Sequence, residues 1–281
     1  MNLDDFKRIG EDLEAEEASM ADIILLSEAA DRQAQDTSRQ ISSGFTDIDN
    51  CMDGGFREGD VTVIAGIPGH GKTTLGRMFT LNFAKQGIPS LWFSHEMTMR
   101  ELWDSFEKMG ADKSLISFVP TFLEADIKWM FDVMDKAIAE QGIKAVFIDT
   151  LGDVERSREK GVVENYSTIL KQICKSFRDF AVSREIMIFE IAHCTKNTRS
   201  NSSETSNNDI ADSNGIPAAA TTVLHVWRDN DSDNLSIVKI GKSRRDGTKM
   251  NHKFKFRFTD NKLVPEGRHV EVEGGDSWRK L

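Results

Sequence analysis

Eight consecutive residues carry the plainest chemistry in the chain. Gly66-Ile67-Pro68-Gly69-His70-Gly71-Lys72-Thr73 has the spacing G-x-x-x-x-G-K-[ST] and stands between an apolar run, Val61 to Ala65, and a helical stretch, Thr73 to Lys85. Glycines let a backbone curl until its N–H groups, and the first turn of the following helix, face a phosphate chain. Lys72 then reaches the β and γ phosphates and Thr73 a magnesium ion, so ATP and Mg²⁺ are the expected ligands. Gly66, Pro68, Gly69, His70, Gly71, Lys72, Thr73 and Thr74 make up the expected nucleotide-binding set. His70 reads as a tolerated side chain pointing outward, with no chemistry of its own.

A phosphate loop of this kind needs an acid at the end of a neighbouring strand, beside the metal. Ala145-Val146-Phe147-Ile148-Asp149 supplies it, although an ordinary strand ending in a turn aspartate has the same pattern, and Asp153 is a weaker competitor. Hydrolysis also needs a carboxylate to orient and deprotonate water. Ser90-Leu91-Trp92-Phe93-Ser94-His95-Glu96 ends a second strand with one. Glu96 reads as that base, or else as a charge at a helix N-terminus, because Thr98 and Glu101 make a capping box just beyond it. His95 reads as structural. A third strand ends Ile191-Ala192-His193-Cys194, where His193 either senses the γ phosphate or caps a buried strand. His193 and Cys194 are adjacent and lack companions, so they do not read as a metal site.

Cations come in two groups. Residues 238 to 258 hold Lys239, Lys242, Arg244, Arg245, Lys249, Lys253, Lys255 and Arg257 against Asp246 alone, a net of +7. Lys253, Lys255 and Arg257 alternate with Phe254, Phe256 and Phe258, the pattern of a solvated edge strand. Lys242 and Arg244 sit instead at a hairpin before Gly247, suited to reach another subunit's γ phosphate. The second group, Arg156, Arg158 and Lys160, then Lys196 and Arg199, follows the strands that end in Asp149 and His193. These five could track a nucleic-acid backbone, although loop lysines are commonly just solvated.

The elements that must position these groups alternate: Val61 to Ala65, Thr73 to Lys85, Ser90 to Ser94, Thr98 to Met109, Ala145 to Ile148, Asn165 to Val182, Ile186 to Ala192. Such alternation predicts an α/β fold, a mostly parallel sheet flanked by helices. Thr222 to Trp227, Leu235 to Ile240 and Lys253 to Phe258 follow without helices between them and predict an antiparallel extension. The polar stretch from Thr195 to Gly215 is too long for a plain connector and reads as a functional loop. At the N-terminus, Met20, Ile23, Ile24, Leu26 and Ala30 form one apolar helical stripe after a cap at Ser19, to be buried on its own domain or on a neighbouring subunit. The chain of 281 residues, 29% charged, suits one large domain or two small ones and has no apolar run near the length of a membrane span. Residues 1 to 60 hold 16 acids against 5 bases, a net of −11, which leaves +1 for the rest. Three cysteines without a CxxC pair point to a reduced cytoplasm, and no secretory leader is visible.

In order, Ser43-Gly44-Phe45 through Asp49, GIPGHGKTT, FSHEM, VFIDTLGD, IAHCTK and KSRRDG resemble the successive motifs of hexameric replicative DNA helicases of the DnaB and phage primase-helicase type, over about residues 40 to 258. The resemblance implies a RecA-like core in a hexameric ring on single-stranded DNA. It assigns Lys72 and Thr73 to ATP and magnesium, Asp149 to magnesium, Glu96 to catalysis as base, and His193 to a switch between γ phosphate and DNA loops. It also places Lys242 and Arg244 in trans, with one extra residue before Gly247 leaving the finger to Arg244 or Arg245. In that family a helix ahead of the core docks on the adjacent subunit, which would cover the Met20 to Ala30 stripe. Primase and a helicase loader are further implied partners, in a bacterial cytoplasm if the chain is phage-encoded. No primase module or bulky N-terminal domain is seen, so primer synthesis is not expected. The expected organisation is an acidic arm and linker helix over 1–40, the ATPase domain over 41–262 and a tail over 263–281. A strand-pairing recombinase of the same fold and a regulatory ATP-binding assembly protein are the alternatives.

Overall fold

A computed structural model describes residues 25–27, 40–154, 166–195, 204–211, 215–229 and 234–269 of the chain. The chain divides into two compact units, Met1–Ser38 and Arg39–Leu281. Ser19, Met20, Ile23, Ile24 and Ala30 lie outside the described residues, so the stripe is not described further.

In the second unit the order is α1 (Thr46–Cys51), β1 (Val61–Gly66), α2 (Lys72–Lys85), β2 (Ser90–Ser94), α3 (Met99–Lys108), β3 (Ser117–Phe118), α4 (Ile127–Gln141), β4 (Ala145–Asp149), α5 (Tyr166–Arg184) and β5 (Met187–His193). Then come α6 (Gly215–Ala219), β6 (Thr222–Arg228), β7 (Leu235–Ser243), β8 (Lys253–Thr259) and β9 (Lys262–His269). The strands form one sheet, ordered β3-β2-β4-β5-β1-β6-β7-β8-β9. β1 to β6 pair in parallel, and β7, β8 and β9 continue antiparallel from β6. The predicted architecture is the observed one. One expectation is corrected: β8 is not an edge strand, because β9 pairs along it and takes up the backbone groups that would otherwise face water.

Register is what makes the sheet a platform for chemistry. Gly66 lies opposite His193, Asp149 opposite Ile191, and Ser94 opposite Asp149. The carboxyl ends of β1, β2, β4 and β5 are therefore level, and the segments that leave them share one edge, where ligands of open parallel sheets bind.

The central strands are buried on both faces, and alternate side chains divide the core between them. On one face Val63, Val146, Ile148 and Ile188 pack with Ile173 and Phe177 of α5. On the other, Phe79 and Phe83 of α2 pack with Trp92, Phe147 and Phe189, whose rings stack at 4.7 Å and 4.6 Å between centroids. Trp92 meets its polar obligation by donating from Nε1 to the Thr80 hydroxyl at 3.0 Å.

Glu190, in the middle of β5, breaks the apolar pattern. It is fully buried, and neither carboxyl oxygen has a hydrogen-bond partner. Burial alone pushes its pKa from 4.5 to about 8, so the folded protein holds it neutral. A carboxyl raised in the folded state binds its proton more tightly there than in the unfolded chain. Its contribution is whole below the unfolded value and is lost as pH rises through the folded one. Melting temperature should thus fall more steeply from about pH 5 to about pH 9 in the wild type than in Glu190→Gln, which has no proton to lose. Parallel slopes for the two proteins would contradict a buried neutral acid.

Candidate active site

The phosphate loop leaves β1 at Gly66 and enters α2 at Gly71, whose φ of 99° is the left-handed conformation that favours glycine. Gly69, at φ 78°, has no atom within 4 Å of where a Cβ would stand, so the turn encloses open space. No side chain caps α2, and its first N–H groups are left for a ligand. Lys72 is buried and donates to the Ile67 carbonyl at 3.3 Å. Burial pushes its ammonium below the ordinary lysine range, with Glu96 and Asp149 acting in the opposite direction. Thr74 is also buried and accepts from Arg77 at 3.3 Å. His70 corrects its expectation: its ring is engaged rather than idle, because Nδ1 accepts the N–H of Arg228 at the end of β6, 3.1 Å away.

Thr73 donates its hydroxyl to Asp149 Oδ2 at 2.9 Å. The other oxygen of this carboxylate, Oδ1, is buried without a partner. Desolvation is the main reason that Asp149 is raised to about 6, against the Thr73 hydrogen bond and the charges of Lys72 and Arg77. A hydroxyl beside a half-satisfied buried carboxylate, at the foot of a phosphate loop, is a donor set suited to a divalent ion with oxygen ligands. Asp153 is occupied elsewhere, by the Thr150 hydroxyl at 2.8 Å.

Across the cavity mouth Glu96 Oε1 and His193 Nε2 meet at 2.8 Å, both partly exposed. Thr98 and Glu101 do form the capping box of α3, which leaves Glu96 outside the helix with no capping to do. His95 serves the frame: its main-chain N–H donates to the Asp149 carbonyl at 2.6 Å and joins the two strand ends.

The cavity of about 290 Å³ is lined by Pro68, Gly69, Gly71, Lys72, Thr73, Thr74, Glu96 and His193, and also by Arg228, Ser236, Phe258 and Leu263. Sequence reasoning missed the last four. Phe258 is visible in sequence only as one phenylalanine of an alternating strand, and Leu263 belongs to a strand with no clear signal.

The hairpin cations lie at the other end of the sheet. Arg244 donates its main-chain N–H to Thr221, which itself donates to Val61 at the start of β1. Six residues of β1, at about 3.3 Å each, separate that end from the phosphate loop. Lys242 donates to the carbonyls of Pro217, Ala218 and Ala220, which uses the three hydrogens of its ammonium at the C-terminus of α6. Burial, then Arg244 and Arg178, lower it to about 8. Arg245 is tied to Asp60 and to the Gly55 carbonyl. Arg244 is exposed, and its side chain bonds the Ala218 carbonyl. Arg156, Arg158, Lys160, Lys196 and Arg199 lie outside the described residues.

Residues 41–261 match the family described as "ATPase: KaiC", a range that takes in the phosphate loop, Glu96, Asp149, His193 and Arg244. The chain belongs to the KaiC-type ATPase family. Among curated relatives of this ATPase, a probable replicative DNA helicase of Trieres chinensis is 25% identical over 220 residues, 67% of this chain and 47% of the relative. The DNA repair and recombination protein RadB of Methanobrevibacter smithii is 27% identical over 159 residues, 47% of this chain and 67% of the relative. The chain spans about half the length of the first curated relatives that it matches. In fold the ATPase is similar to a solved structure described as an ATPase domain, with a TM-score of 0.72 and 17% identity over 86% of this chain and 99% of that one. It is also similar to a DnaB-like replicative helicase described with its interactions with primase, with a TM-score of 0.69 and 17% identity over 92% of this chain and 71% of that one. Among the described residues no helix is long and apolar enough to cross a membrane.

Proposed function

We propose that this ATPase is the motor of a ring-forming helicase, a translocase that uses ATP to move along single-stranded DNA and part a duplex. One observation carries the reading: the nucleotide cavity and the exposed Arg244 lie at opposite ends of β1, so Arg244 can reach a γ phosphate only in a second copy. Glycine-rich backbone, Thr74 and Lys72 hold the phosphates, with Lys72 released from Ile67. Thr73 and Asp149 would hold Mg²⁺, which neutralises charge on the phosphate oxygens. Glu96 accepts the proton of a water whose oxygen attacks the γ phosphorus, the bond from that phosphorus to the bridging oxygen breaks, and ADP and phosphate result. His193, hydrogen-bonded to Glu96, reports which species occupies the cavity to the segment that follows β5. Phe258 and Arg228 also line the cavity, and the nucleobase would lie against them. A ring of six, primase and a loader as partners, and a cytoplasmic site of action belong to the same reading.

ATP hydrolysis by the purified full chain, with and without an unstructured single-stranded oligonucleotide, tests this. Single-stranded DNA should raise the rate severalfold, and a rate indifferent to DNA would count against a nucleic-acid motor. The match to RadB supports a second reading, a filament-forming recombinase on the same core. ATP-dependent filaments on DNA in place of closed rings would favour it.

A further inference from the structure

The chain that leaves β5 returns as residues 204–211, and this return limb is held from two sides. On the side of β5 the Thr195 N–H donates to the Asp209 carbonyl and the Ala211 N–H to the His193 carbonyl, both at 2.8 Å, with Cys194 and Ile210 bridged antiparallel between them. His193 therefore ends in a two-stranded ladder whose other strand is the return limb. The Cys194 N–H also donates to the Gly66 carbonyl at 2.9 Å, which joins the ladder to the start of the phosphate loop.

On the side of β6 and β7 the limb is fastened by a polar clasp. Asn207 Nδ2 donates to the Gly241 carbonyl at 2.9 Å, which fixes the end of the amide that is oxygen. Asn207 Oδ1 must then accept from His225 Nε2, 2.9 Å away, and the other ring nitrogen accepts from the Thr205 hydroxyl at 3.0 Å. His225 is thus a neutral imidazole with its proton on Nε2, and burial, helped by Lys239, holds its pKa down to about 4 against Asp209 and Glu204. Gly241 makes room for it, since a Cβ there would stand 2.4 Å from the ring. Glu204 adds ion pairs to Lys239 at 2.8 Å and Lys253 at 3.0 Å, and both ammonium groups lie over the Trp227 ring. Every buried polar atom of the Asn207–His225–Thr205 chain is satisfied, a condition under which such networks are rigid. None of these residues lines the nucleotide cavity.

We propose that Glu204, Asn207 and His225 are positioning residues for His193: they fasten the return limb to β6 and β7, so that the ladder of 193–195 with 209–211 sets the distance between His193 and Glu96. The clasp is thereby an anchor for the γ-phosphate side of the site. This rests on the reading of Glu96 and His193 as that side of an ATPase.

Glu204→Ala and Asn207→Ala in the full chain test it with two readouts, exchange of the Thr195 and Ala211 amide protons and the kcat and KM of ATP hydrolysis. Both amides should exchange about tenfold faster or more in each variant, as local opening becomes easier. Over the same variants kcat should fall severalfold with KM for ATP unchanged, since the clasp does not touch nucleotide. Should Asn207→Ala not fold, Glu204→Ala decides, because Glu204 is only half-buried. Exchange at wild-type rates in a folded variant overturns the proposal, and so does an unchanged kcat in an active enzyme. A wild-type chain that hydrolyses no ATP removes the functional reading, while the exchange readout still judges the clasp.

Discussion

Glu96→Gln keeps its affinity for ATP and loses turnover by about 10²–10⁴-fold, the share that a positioned base supplies. The amide preserves size and can still face His193, which stands 2.8 Å from the carboxylate in the wild type, but it cannot take a proton from water. Nothing in the frame depends on the charge: α3 is capped by Thr98 and Glu101, and Glu96 is partly exposed. The loss should therefore appear in kcat, followed by phosphate release, and not in nucleotide titration or melting temperature. Turnover within a fewfold of wild type would sink the assignment of Glu96 as base.

Arg244→Ala should cost about 10³–10⁵-fold in turnover, the scale of an arginine that stabilises charge at the transferring phosphoryl group. Arg245→Ala should behave differently. Arg245 holds the buried Asp60 carboxylate, whose pKa burial already pushes up, so its removal should lower melting temperature first. Arg244 lies beside the start of β1 and the phosphate loop at its end, so if the arginine serves a neighbour, as proposed, the defect should be repairable in trans. Mixing Arg244→Ala with Lys72→Ala chains creates interfaces that join an intact phosphate loop to an intact arginine. Measured ATP hydrolysis should exceed the sum of the two separate proteins. A mixture no more active than its parts would place Arg244 outside the site.

Much of this arrangement is legible in sequence because its signals are local. The phosphate loop announces itself by spacing, and the strands that end at Ser94, two residues before Glu96, at Asp149 and at His193 are apolar runs that stop at a polar residue. Parallel pairing then brings those ends together without further information from sequence. Helix α4 is an element the sequence reading omits although its signal is of the same local kind: a cap at Asp126 that accepts the Trp129 N–H, buried Ile127, Met130 and Met134 at helical spacing, and Gly142 in a left-handed end. What is not legible depends on contacts distant in sequence. β9 is a strand because β8 offers it an edge, with a register shift between Lys255 and Phe256, and the run from Lys262 has no alternation to mark it. Lys242 and Arg244 look alike in sequence, yet the carbonyls of Pro217, Ala218 and Ala220 take all three hydrogens of one, while the other bonds the Ala218 carbonyl and stays exposed. His225 reads as one polar residue in an apolar strand until Asn207 and Thr205 arrive from the return limb.

Strand separation of a forked DNA duplex by the purified full chain, with ATP and Mg²⁺ and with Lys72→Ala as control, tests the central claim most directly. The account predicts unwinding that needs ATP and disappears in the control. ATP hydrolysis stimulated by DNA but without strand separation, under conditions where the chain forms rings, would contradict the claim that this ATPase is a helicase motor.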